Sequence, residues 1–182
     1  MARVKTSPRR GGFAPASGLT HVDARGRVRM VDVGAKPPTR RIALARATLR
    51  MEPTTLGAIL DGSLKKGEAL AAARIAGVMA AKRTSELIPL CHQIALDLVE
   101  IDFQPDPAQS RLEIQARAVT QARTGVEMEA LVAASVAALT LYDMAKAIDR
   151  AMVVEQVRLV SKEGGRSGKF RRPGEREWPA AL

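Results

Sequence analysis

The chain has few of the residues that most often bind metals, form cross-links or stack on bases. Its 182 residues include one cysteine and two histidines, and aromatics make up 3%. A lone Cys91 cannot close an internal disulfide, which fits a reducing compartment. With Cys91, His21 and His92 as the only thiol and imidazole donors, a four-ligand structural zinc site is excluded. A carboxylate-held Mg²⁺ needs none of them and stays open, and no resident cofactor is otherwise expected. Scarce aromatics leave Ala, Val, Leu and Ile to fill the core, and they remove the stacking face of a single-strand-binding module. No apolar run is expected to span a membrane. The N-terminus, MARVKTSPRRGGFAPASG, lacks the apolar centre of a secretory signal. The expected setting is the cytoplasm, with neither membrane nor nucleic acid as partner.

Basic charge is plentiful but lies mostly in the tails. The net charge is +10, yet residues 18–161 carry 19 basic against 16 acidic side chains. Residues 1–17 hold four basic and no acidic residues and lack periodicity, so they read as a disordered basic arm. Residues 18–170 read as one domain, and 171–182 as a flexible tail.

Within the domain, RRIALARATLRM alternates as a strand with one buried face. PTTLGAILDG reads as a short helix opened by Pro53 and closed by Gly62, and KKGEALAAARIAGVMAAKRTSELI as a longer one stopped by Pro89. LDLVEIDFQP and SRLEIQARAVT flank a turn and predict a β-hairpin. GVEMEALVAASVAALTLYDMAKAIDRA is a long helix, and VEQVRLVSKE a last strand. The order of strand, two helices, two strands, helix and strand predicts an α+β fold: a ferredoxin-like, four-stranded antiparallel sheet with helices on one face.

Four segments carry candidate chemistry. GGRSGKF fails as a Walker loop, because Glu163 and Phe170 stand where Gly and Ser or Thr are needed, but its small residues and Lys162 suit an anion. In LIPLCHQI, a buried Cys91 packed as a small hydrophobe, with His92 satisfied by a nearby carbonyl, weighs equally with His92 alone binding a ligand; the two residues point apart on an extended chain and make a poor nucleophile–base pair. Glu127 and Glu129 in TGVEMEAL are accounted for by the helix dipole alone. In LTLYDMAKAIDR, Asp143 follows Val132, Val136 and Leu139 within about 40° on a helical wheel, with Lys146 one turn on. That placement predicts a largely buried helix with a desolvated acid–base pair; an exposed i,i+3 ion pair is the other reading.

Taken together, LTHVDARGRVRMVDV, the KKGEALAAARIAGVMAAKRTSELIPLCH block, TGVEMEALVAASVAALTLYDMAKA and VRLVSKEGGRSGKF resemble the MoaC family of molybdenum cofactor biosynthesis, from about Leu19 to Phe170. The resemblance implies a lyase that turns a cyclised dihydroguanosine triphosphate into cyclic pyranopterin monophosphate and pyrophosphate. It also implies a homohexamer, a trimer of dimers with active sites between subunits. Asp143 and Lys146 match the family's acid–base pair. Lys66 and Lys162 match active-site lysines. Arg41, Lys82 and Arg83 lie in matching blocks as phosphate contacts, and Leu90, Cys91, His92, Glu127, Met128 and Glu129 fall in substrate-contacting segments. A nucleic-acid module on this scaffold and a non-catalytic assembly scaffold are the alternatives, the first opposed by the near-balanced charge of the domain.

Overall fold

Small side chains set the spacing between sheet and helices. The computed structural model describes residues 26–166 and 168–178. The chain divides into two units, 1–32 and 33–182. Of the first, the described stretch Gly26–Asp32 contains no helix and only an isolated bridge at Val28. The basic arm 1–17 lies outside the described residues.

The second unit runs β1 (Thr39–Arg50), α1 (Pro53–Leu60), α2 (Ala69–Lys82), α3 (Thr84–Leu87), β2 (Leu98–Asp106), β3 (Arg111–Ala122), α4 (Glu127–Ala145), β4 (Val153–Glu163) and β5 (Phe170–Arg171). The sheet order is β2-β3-β1-β4-β5, every pairing antiparallel. Its first four strands have the expected ferredoxin-like topology; β5 is an addition.

The alternation has a direct structural meaning. Ala43, Ala45, Ala47 and Leu49 of β1 and Leu112, Ile114, Ala116 and Ala118 of β3 are fully buried. They share the face on which the helices pack. Intervening residues such as Arg46, Thr48, Glu113 and Gln115 share the other face. The hairpin forms because Asp106 accepts a hydrogen bond from the Gln109 amide at 3.2 Å and Ser110 takes a left-handed conformation.

α2 and α4 run antiparallel at close range. Gly77 makes this approach feasible: a Cβ there would sit 3.1 Å from the Ala133 carbonyl oxygen and 3.0 Å from Ile101 Cδ1. α4 is 19 residues long and apolar enough, by length and composition, to cross a membrane. This corrects the expectation that no such run exists; in this fold the segment is the central core helix, packed against β1, β3, β4 and α2.

Two further expectations change. The second helix does not run unbroken to Pro89: Arg83 leaves helical geometry at φ −107°, ψ 12°, and Thr84 to Leu87 form a separate turn. Ile88, preceding the proline, is then extended. Residues 170–178, read in part as a flexible tail, add β5 and cross the open face of the sheet. There Arg46 Nη1 meets Glu175 Oε2 at 3.0 Å.

Candidate active site

α4 presents a row of alanines to the core, and this decides where its charges point. Ala130, Ala133, Ala134, Ala137, Ala138, Leu141 and Ala145 are buried, whereas Leu139 is exposed and Val132 and Val136 are half-buried. The stripe Val132–Val136–Leu139–Asp143 therefore faces away from the sheet. Asp143 is not desolvated within one chain: its side chain is 54% exposed and that of Lys146 51%. The expectation of a buried pair is corrected. Close packing at Gly77 favours alanines on the buried face, Leu141 excepted, and Val132, Val136 and Leu139 turn outward.

Asp143 nevertheless lies at the centre of a tight cluster. Lys146, the C-cap residue of α4, places Nζ 2.6 Å from Asp143 Oδ1. Lys66, in the loop before α2, places Nζ 2.7 Å from Oδ2 and also donates to the Asp143 carbonyl oxygen at 2.8 Å. Hydrogen bonds from Lys146 and then Lys66 hold the carboxyl down at about 2. The carboxylate is thus ionised at any working pH and keeps two ammonium groups together at the helix end.

A second cluster gathers at the other end of α4. Lys162, late in β4, places Nζ 2.9 Å from Glu127 Oε1. Lys162 pairs in register with Ala43, so both side chains lie on the helix side of the sheet. Arg41, two residues before Ala43, lies on that same side, and its guanidinium rests against Gly165, where a Cβ would collide with Nη1. Gly165 has φ +74°, which also favours glycine. The Arg41 Nε is buried without a hydrogen-bond partner among the described residues.

Glu129 is the titratable group most altered by the fold. It is only 4% exposed, and burial pushes its carboxyl up to about 7, with Glu127 adding to the rise. The Cys91 thiol is raised by its own burial and then by the Glu129 charge. The helix dipole does not account for Glu129, because the side chain is turned into the protein. The sequence held a signal for this: residues 129, 133, 137, 141 and 145 form an i,i+4 row, and every other member of it is buried. The carboxylate on the buried stripe is Glu129, not Asp143.

The remaining expected residues sort to the same end. Lys82 and Arg83 are exposed at the end of α2, which antiparallel packing puts near the start of α4. Leu90, Cys91 and His92 are half-buried in the irregular segment after α3, and Met128 is half-buried in the first turn of α4. Among the described residues, no three His, Cys, Asp or Glu side chains converge to hold a metal.

The expected site residues therefore form two groups. Glu127 and Asp143 are sixteen residues apart on one helix, about 24 Å at the usual rise. One chain brings Lys66, Asp143 and Lys146 together. Separately it pairs Lys162 with Glu127 at the start of α4, with Glu129 buried two residues on and Arg41 against Gly165 just after β4.

Comparison with known proteins gives a consistent result. The MoaC family matches residues 30–165. The chain is 58% identical over 162 residues to the cyclic pyranopterin monophosphate synthase of Pelotomaculum thermopropionicum, covering 89% of this chain and 95% of that one. It is 58% identical over 155 residues to the enzyme of that name from Chloroflexus aurantiacus, covering 85% and 95%. The corresponding protein of Thermomicrobium roseum is 55% identical over 154 residues, with 85% and 93% covered. Both clusters lie within or beside the matched span, and the chain belongs to the MoaC family.

Proposed function

We propose that this chain converts a cyclised dihydroguanosine triphosphate into cyclic pyranopterin monophosphate, with release of pyrophosphate, at sites built from two copies of the chain. The observation that carries the shared-site reading is the separation of the two charged clusters along α4. A nucleotide triphosphate is shorter than that separation. If two copies related by a twofold axis lay α4 against α4 antiparallel, the Asp143 end of one would meet the Glu129 end of the other. The outward apolar side chains support such a contact: Leu139 on α4 and Ile75 and Met79 on α2 are exposed in the single chain. Three such pairs would complete the hexamer expected from the family, operating in the cytoplasm.

The chemistry divides sensibly between the two clusters. Forming a cyclic phosphate joins a sugar hydroxyl oxygen to the α-phosphorus and breaks the bond from that phosphorus to the bridging oxygen. The hydroxyl proton goes to a base, and pyrophosphate leaves with the bonding pair. Lys66 and Lys146 at one end, with Arg41 and Lys162 at the other, supply fixed cations for the triphosphate and the departing charge. Asp143 is too weak a base, at about 2, to take that proton alone. Its role is to orient Lys66 and Lys146, and Lys146 is the acid of the pair. Glu129, at about 7, exchanges a proton near neutrality and suits the rearrangement of the ring system.

The test is product and pyrophosphate formation by the purified chain supplied with the cyclised dihydro-GTP. Equal amounts of cyclic pyranopterin monophosphate and pyrophosphate are expected. Binding without turnover would instead favour a scaffold that retained the fold.

A further inference from the structure

The open face of the sheet contains an arrangement that the family-matched residues leave incomplete. Arg46 of β1 and Arg158 of β4 are directly opposite one another in register. Like charges in that position repel. Within the family match, which ends at residue 165, Glu113 approaches Arg158 only at 3.9 Å, and the close carboxylate partner comes from beyond it. Glu175 lies between the two arginines. Its Oε2 is 3.0 Å from Arg46 Nη1 and 3.1 Å from Arg158 Nη2, and its Oε1 accepts from Arg158 Nε. The Glu175 side chain is 6% exposed and that of Arg46 7%. Arg46 also donates from Nε to Gln115 at 3.0 Å and from Nη1 to the Arg176 carbonyl oxygen at 2.9 Å. The Trp178 ring centroid lies 4.9 Å from its guanidinium carbon.

What this clasp holds is the far side of Lys162. β5 has only two residues, Phe170 opposite Lys162 and Arg171 opposite Ser161. A strand that short is marginal by itself. It is continued by Arg172, whose amide donates to Val160 at 2.8 Å and whose Nε donates to Leu159 at 2.8 Å. Three residues later comes the clasped Glu175. The end of β4 is thus bounded on one side by β1, with Arg41 against Gly165, and on the other by β5 and the segment after it.

We propose that residues 172–178 are a strap, fastened by Glu175 between Arg46 and Arg158, that holds β5 against β4 and so positions Lys162 and the Gly164–Gly165 turn for substrate. Glu175 is a positioning residue: it touches no candidate site residue and acts through β5. The consequence for substrate rests on the function proposed above; the consequence for β4 does not.

The test compares the full chain with Glu175→Gln, Glu175→Asp and a truncation after Arg172, each checked for folding by circular dichroism. Trp178 is the only tryptophan, so its emission reports the strap directly. Glu175→Gln is expected to shift that emission to the red and to speed amide exchange in a peptide covering Ser161–Gly165 by at least about threefold. KM is expected to rise roughly fivefold with kcat within about twofold; the truncation, which removes Trp178, should match Glu175→Gln in exchange and KM, while Glu175→Asp restores KM and the Trp178 emission. Unchanged Trp178 emission in Glu175→Gln would remove Glu175 as the clasp. A red shift with unchanged exchange and unchanged KM would overturn the positioning role. If even the unmodified chain forms no product while exchange rises as expected, the strap stands and the proposed reaction falls.

Discussion

Replacing Glu129 with Gln should stabilise the protein at alkaline pH and damage it as a catalyst. The carboxyl is raised from 4.5 to about 7 in the folded chain, chiefly by burial. Between those values the native state holds a proton that the unfolded state has released. Stability therefore falls as pH rises through that window and levels off above about 7. Each unit is about 1.4 kcal/mol, and with allowance for solvent screening the full effect is on the order of 2–3 kcal/mol. Glutamine has nearly the same shape and never ionises. At pH 5 the two proteins should unfold at nearly the same urea concentration. At pH 8 Glu129→Gln should be the more stable by about 2 kcal/mol, measured by urea titration at matched protein concentration. Its turnover should fall roughly 10²-fold if Glu129 exchanges a proton with substrate. A pH-independent difference between the two proteins would refute the reasoning, because the carboxyl would then not be desolvated.

Other outcomes follow from the same geometry. Lys146→Ala and Asp143→Ala should each lower turnover roughly 10²–10⁴-fold, and the double variant little more than the worse single, read as product formed by folded protein. Asp143 is depressed to about 2, so whatever its ion pairs add to stability is fully present above the ordinary carboxylate range. That contribution is lost as pH falls from 3.8 down through about 2; a carboxyl titrating near 4 by NMR would contradict the two-lysine clasp. Gly165→Ala should displace Arg41 and destabilise the chain by more than about 1 kcal/mol in thermal unfolding, because both the positive φ and the guanidinium oppose a Cβ. Light scattering should give six copies per particle at micromolar concentration, and a stable monomer would remove the shared site.

Much of the fold is legible in local pattern. The alternation of Ala43 to Leu49 and of Leu112 to Ala118 reports the buried face because a strand's period is exact and each strand has one core side. The order of elements then fixes the sheet. α4 was harder to read, since it is apolar nearly all round and its larger residues suggested the core side. In the structure alanines take that side, because α2 approaches closely at Gly77. The pattern therefore points Asp143 to the core side and leaves Glu129 reading as a dipole partner. The break at Arg83 depends on how the segment after α2 turns toward Cys91, which no local signal reports. The strap was hidden because GEREW looks like solvated tail; Glu175 acquires its partners only when β1 and β4 bring Arg46 and Arg158 into register. Of the site, the resemblance supplied the residues, while their division into two distant groups came from the helix that carries them.

The shared-site claim is tested most directly by mixing two inactive variants. One carries Asp143→Ala and Lys146→Ala; the other carries Glu129→Gln and Lys162→Ala. Each alone lacks one cluster at every site. Co-expressed in equal amounts, half the pairs should contain one copy of each, and each such pair should have one site with both clusters intact. The mixture should recover about a quarter of the unmodified turnover. If turnover stays at the level of the separate variants although mass spectrometry shows mixed assemblies, both clusters must act within one chain, and the account of the site is wrong.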